Sequence, residues 1–107
     1  METNTATPGG LSLFMPELRK IDVLNSDAFQ ASLLSAMEGK RHLILDLSNV
    51  QFIDSSGLGK IIASLRLFRE KGGEMRICSV RPPVQVLFTM VRLAEIVGID
   101  ADAEAST

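Results

Sequence analysis

The sequence predicts a single α/β domain, a small mixed β-sheet covered by helices mainly on one face. Three observations predict it. Leu43-Ile44-Leu45-Asp46-Leu47 is a short apolar run of the kind that forms a buried strand. Leu58, Ile61, Ile62, Leu65 and Phe68 follow at the spacing of one helix face. Strand-like and helix-like segments then alternate with short connections and no internal repeat. With 107 residues, 46% of them hydrophobic, the chain can fill one modest core.

Residues 1–10 are polar, with Pro8, Gly9 and Gly10, and read as a disordered lead rather than a signal peptide. The domain itself spans 11–99. Leu11-Ser12-Leu13-Phe14-Met15 alternates as a strand and is closed by Pro16. Leu18, Ile21 and Val23 suggest a second short strand, which would pair with the first as a hairpin. Asn25-Ser26-Asp27 offers helix N-cap chemistry, and Phe29, Leu33, Leu34 and Met37 recur at helical spacing until Gly39. Lys40-Arg41 leads into the central strand, 42–47, and Ser48-Asn49 reads as a turn.

Phe52-Ile53 then brings the chain to Asp54-Ser55-Ser56-Gly57. The next helix is predicted over 56–71, with Ser55 or Asp54 as its cap. Gly57 and Gly59 each cost about 1 kcal/mol of helix propensity relative to Ala. Their presence implies either close packing of helix on strand or room for another molecule to approach the backbone. Gly72-Gly73 ends the helix, and 74–80 alternates as a strand. Pro82-Pro83 suits the first turn of a third helix, striped by Val84, Leu87, Phe88 and Val91. Residues 93–99 read as a last short helix or strand, and 100–107 as a disordered acidic tail. The order is β-β-α-β-α-β-α, with parallel pairing across the strand-helix-strand unit.

Composition removes several function classes. A net charge of −2 and the absence of Trp and Tyr argue against a nucleic-acid surface. No apolar run is long enough to span a bilayer. The single Cys78 has no internal disulfide partner and lies in an apolar run, as a buried thiol in a reducing cytoplasm would. Cys and His lack metal-ligand spacing, and there is no Gly-rich phosphate loop ending in Gly-Lys.

The polar turn at 54–57 is therefore the candidate site, since open α/β sheets place function at the C-terminal ends of their strands. A helix N-terminus there offers unpaired N–H groups and a positive dipole end. A serine hydrolase would need a base within reach, but His42, the one histidine, starts the central strand at its far end. The Gly-x-Ser-x-Gly elbow is also missing. A receiver domain phosphorylated on Asp54 would need an acidic pair after its first strand, and none is present.

The run Phe52-Ile53-Asp54-Ser55-Ser56-Gly57-Leu58-Gly59 lies between a strand and a helix that ends at Lys71-Gly72-Gly73-Glu74 before another strand. This pattern resembles the STAS family and, within it, the bacterial anti-sigma factor antagonists, over residues 18–97. The resemblance implies the STAS fold and a cytoplasmic, non-enzymatic switch without a cofactor. It implies that the second hydroxyl of the motif, here Ser56, is phosphorylated by an ATP-bound partner that is both anti-sigma factor and serine kinase. The unphosphorylated form would bind that partner and release a sigma factor; a serine phosphatase would reset the cycle. The other role the family offers is a constitutive docking subunit, for example of a membrane lipid transporter. A phosphate-bearing small ligand at the same helix terminus is a third class.

Each site residue carries two readings. Ser56 is the phosphoacceptor or an early helix residue, and Ser55 is the rival acceptor or the cap. Asp54 orients the acceptor hydroxyl or a kinase-bound Mg²⁺, or else caps the helix. Asp22 stands where the family has an Asp in the loop flanking the site, and joins the docking surface or serves a local turn. Gly57 belongs to either of the glycine readings above. Lys60 and Ser64, on the polar side of the helix, touch a partner or face solvent.

Overall fold

The apolar run around Leu45 is flanked by strands on both sides, as its composition requires. The structure, a computed structural model, describes residues 2–7, 11–90 and 98–100. In chain order its elements are β1 (Glu2–Thr7), β2 (Leu11–Pro16), β3 (Lys20–Ile21), α1 (Ser26–Met37), β4 (His42–Asp46), β5 (Phe52–Ile53), α2 (Ser55–Glu70), β6 (Glu74–Cys78), α3 (Pro82–Met90) and β7 (Gly98–Asp100). A five-stranded sheet runs β1-β2-β4-β6-β7, and β3 and β5 form a separate two-stranded sheet. The larger sheet is mixed: β1 pairs antiparallel with β2, and the other pairs are parallel.

Alternation along the strands makes the core. Phe14, Leu43, Leu45, Met75 and Ile77 are buried from the sheet, and Phe29, Leu33, Ile61, Leu65 and Phe68 from α1 and α2. The opposite-pointing row across the register, Leu13, Ile44 and Arg76, is only half-buried. Ile61 and Leu65 are fully buried. Each such side chain contributes about 1.5–3 kcal/mol. Docking of α2 therefore outweighs the propensity that Gly57 and Gly59 cost it.

Several expectations change. The polar lead is not without structure: 2–7 is strand β1, at the edge of the sheet. Its three threonines are good strand formers, and an edge strand needs no apolar alternation. The hairpin partner of β2 is therefore β1. The segment after Pro16 instead makes β3, which pairs in parallel with β5. The strand expected over 74–80 stops at Cys78, because Ser79 turns to φ 58°. α2 begins one residue earlier than expected, at Ser55. Gly39 and Gly72, both at positive φ, end α1 and α2 as the sequence indicated. Val91, the possible segment at 93–97 and the tail at 101–107 lie outside the described residues, whereas 98–100 is strand.

Candidate functional site

The site is assembled around Asp54, the residue between β5 and α2. Its backbone N–H donates to the Ile21 carbonyl at 3.1 Å, extending the β3–β5 pairing. Its carboxylate is used twice. Oδ1 accepts from the Gly57 N–H at 2.9 Å, which caps α2. Oδ2 accepts from the Val23 N–H at 3.1 Å, which ties down the β3–α1 loop. Asp54 is thus the N-cap, and Ser55 is the first helical residue rather than the cap.

The β3–α1 loop is held by its own polar side chains. Asp22 Oδ1 accepts from the Leu24 N–H at 3.0 Å, and the Asp22 carbonyl accepts from the N–H groups of Asn25 and Ser26. Asn25 does not cap α1 with its side chain. It accepts from the Asp22 N–H and donates to the Lys20 carbonyl, each at 2.9 Å. Lys20 Nζ lies 3.7 Å from Asp22 Oδ2. Asp22 is therefore a turn-former beside the site, joined to Asp54 through the Val23 amide.

On this frame Ser55 is exposed and Ser56 half-buried, in the first turn of α2. Among the described residues neither hydroxyl has a hydrogen-bond partner, and the N–H groups of Ser55 and Ser56 are also open. The turn can therefore accept an anion or a partner's acceptor groups on its free N–H donors. The two glycines divide the readings given above. A Cβ at Gly57 would lie 2.7 Å from Ile21 Cγ2, so Gly57 serves helix–strand packing. A Cβ at Gly59 would meet nothing within 4 Å, so Gly59 faces open space.

Lys60 reaches across to α1, where its Nζ is 2.9 Å from Asp27 Oδ1. Ser64 is not on a solvated face: it is fully buried, and Gln30 Nε2 of α1 lies 3.4 Å from its Oγ. The sequence reading missed three apolar residues that frame the polar turn. Val23 is 68% exposed, Leu24 90% and Phe52 52%. The available signal was their position beside the motif with no periodic place in a core. Leu18, Ile21 and Val23 read together as a strand, whereas β3 ends at Ile21 and Val23 lies in the loop after it.

His42 starts β4 and lies 3.6 Å from Glu74, its register partner, at the end of the sheet opposite the turn. No base therefore serves Ser55 or Ser56 from that side chain. Among the described residues no group of His, Cys, Asp and Glu could hold a metal ion. Cys78 is buried, as its sequence context indicated. A cleft of about 590 Å³ lies at the C-terminal ends of α1 and α2, lined by Leu34, Met37, Lys40, Leu67 and Lys71 among others, but by no motif residue.

The STAS domain family model matches residues 7–105. The chain belongs to the STAS family. The anti-sigma F factor antagonist of Paenibacillus polymyxa is 40% identical over 91 residues, covering 82% of this chain and 78% of that one. The crystal structure of an anti-sigma factor antagonist from Mycobacterium paratuberculosis superposes with a TM-score of 0.86 at 17% identity, covering 99% of this chain and 89% of that one. The Bacillus cell fate determinant SpoIIAA in its phosphorylated form gives 0.72 at 17% identity, covering 97% and 94%. The two structures share the STAS fold with this chain: a mixed sheet with helices packed on it. Among the described residues of this STAS domain, no helix is long and apolar enough to cross a membrane.

Proposed function

We propose that this STAS domain is a cytoplasmic anti-sigma factor antagonist that acts by binding and is switched by phosphorylation of Ser56. The observation that carries the reading is the open pair of serine hydroxyls at the N-terminus of α2, framed by exposed Val23, Leu24 and Phe52. The 40% identical relative, an anti-sigma F factor antagonist, supports the partner class. The unmodified domain docks this face on an anti-sigma factor and so frees a sigma factor.

The partner is also the kinase. Ser56 Oγ attacks the γ-phosphorus of the ATP it holds. The Oγ–P bond forms, the bond from the γ-phosphorus to ADP breaks, and the hydroxyl proton leaves to a base of the kinase. A serine phosphatase hydrolyses the phosphoester and restores the binding form. The phosphate brings about −1.5 to −2 charges to a site with free N–H donors and a positive dipole end, so the fold accommodates it. A docked partner that desolvates the same turn does not. A penalty of about 3 kcal/mol weakens binding roughly a hundredfold, which suffices for a switch without a change of fold.

The test pairs the purified domain with a candidate anti-sigma factor kinase and ATP, then maps phosphate by mass spectrometry. Modification at Ser56 that disappears in Ser56→Ala is the expected result, with Ser56→Ala retaining partner affinity and Ser56→Asp losing about a hundredfold. Phosphate on Ser55 alone would move the site. Equal affinity of Ser56→Ala and Ser56→Asp would remove the switch.

A further inference from the structure

We propose that Lys60 is the side chain that responds to the phosphate: it pairs with Asp27 while Ser56 is unmodified and turns to the phosphate afterwards, leaving the Asp27 carboxylate uncompensated on the docking face. This inference rests on Ser56 being the acceptor. The modification is the transfer written above, so the change at the site is one phosphoester dianion in place of one hydroxyl.

Lys60 follows Ser56 by four residues on α2, which places the two side chains one above the other on a single helix face. Helical side chains leave the helix leaning toward its N-terminus, so the turn bearing Ser56 lies on the side to which the Lys60 stem departs. Its present partner belongs to another helix: Nζ bridges 2.9 Å to Asp27 Oδ1 in the first turn of α1, across a pair that is 32% and 90% exposed. A half-exposed ion pair of this kind is weak. A phosphate offers more charge and more acceptor oxygens than a carboxylate, so it wins the ammonium. Gly59, the residue before Lys60, faces open space and carries no side chain to block the swing.

The other charges around the turn are already engaged. Asp54 uses both carboxylate oxygens on backbone N–H groups, and Lys20 lies against Asp22. What distinguishes Lys60 from Lys20 is its place: it stands four residues after Ser56 on the same helix face, so it is the cation placed to move. The consequence reaches the partner. Phosphorylation adds the phosphate's own charge, and by drawing Lys60 away it also bares Asp27. The docking face thus carries uncompensated negative charge at two points, Asp27 and the part of the phosphate that one ammonium does not neutralise. Ser55 cannot work the same way, because the residue four positions after it is Gly59.

The test installs phosphoserine at position 56 by codon reassignment, so it does not depend on which serine a kinase selects; kinase mapping decides that separately. Phosphorus NMR then follows the second ionisation of the phosphate. The midpoint should lie about 0.3 pH unit or more lower in the unsubstituted chain than in Lys60→Gln, with Lys60→Arg restoring the low value. In the unmodified protein Asp27→Asn should move the Lys60 ammonium nitrogen resonance, and after modification it should leave that resonance in place. Phosphoserine at position 55 should titrate alike with and without Lys60. An unchanged midpoint in Lys60→Gln would overturn the proposal. So would a Lys60 signal that stays sensitive to Asp27→Asn after modification, or a phosphoserine at 55 that depends equally on Lys60.

Discussion

A methyl group added at Gly57 would lie 2.7 Å from Ile21 Cγ2 and 2.8 Å from the Ile21 carbonyl oxygen. Ile21 is fully buried, and its carbonyl holds the Asp54 N–H, so neither atom can retreat cheaply. Gly57→Ala should therefore lose about 1–3 kcal/mol of stability in urea unfolding, despite the better helix propensity of Ala. Gly59→Ala meets nothing within 4 Å and should gain about 0.5–1 kcal/mol in the same measurement. A loss at Gly59 or a gain at Gly57 would contradict the packing described. Propensity alone assigns both glycines the same cost. The difference is tertiary: it depends on where β3 runs, which the residues around Ile21 do not announce.

At the scale of elements, the β3–α1 loop and the start of α2 share one carboxylate. Removing it should disturb both. Asp54→Ala loses the cap to Gly57, worth about 1 kcal/mol, and the bond to Val23, worth about as much again. The expected cost is about 2 kcal/mol by chemical denaturation. Asp54→Asn keeps one acceptor oxygen but turns an amide N–H₂ toward the other donor, so it should fall between Ala and Asp. Equal and small losses for both variants would mean that the carboxylate does not hold these elements. This coupling also explains which parts of the fold were legible. β4 and α2 were, because Leu43 to Leu47 is an apolar run of the kind that forms a buried strand and the Leu58 to Phe68 stripe is long enough to show a helical period. The cap was narrowed to Asp54 or Ser55 by residue type, but the choice needed geometry. β3 and β5 are two residues each and exist through partner carbonyls rather than a pattern of their own. β1 escaped notice because Glu2 to Thr7 carries no apolar alternation. Asp22, Asp54 and the serines were legible as a polar constellation, whereas burial of Ser64 and the Lys60–Asp27 pair depend on how α1 and α2 face each other.

For the whole molecule, the question is how one face binds in one state and refuses in the other. Charge at Ser56 and apolar contact at Val23 and Leu24 are separable contributions. Val23 and Leu24 are 68% and 90% exposed, so replacing both by Ser removes little that folding buries. The tie from Val23 to Asp54 runs through the backbone N–H and survives the substitution. Stability should stay within about 0.5 kcal/mol of the unsubstituted chain. If these side chains enter the partner's surface, their loss should cost about 2 kcal/mol of binding, roughly a thirtyfold weaker complex by calorimetry. Salt then tells the two contributions apart. The deficit of Ser56→Asp is electrostatic and should shrink as ionic strength rises from about 0.01 to 1 M and the screening length falls from about 30 to 3 Å. The deficit of the double Ser variant is loss of apolar burial, which rising salt does not screen. A double variant that binds at full strength would mean the partner passes over this loop. A Ser56→Asp deficit insensitive to salt would mean the serine acts through shape rather than charge.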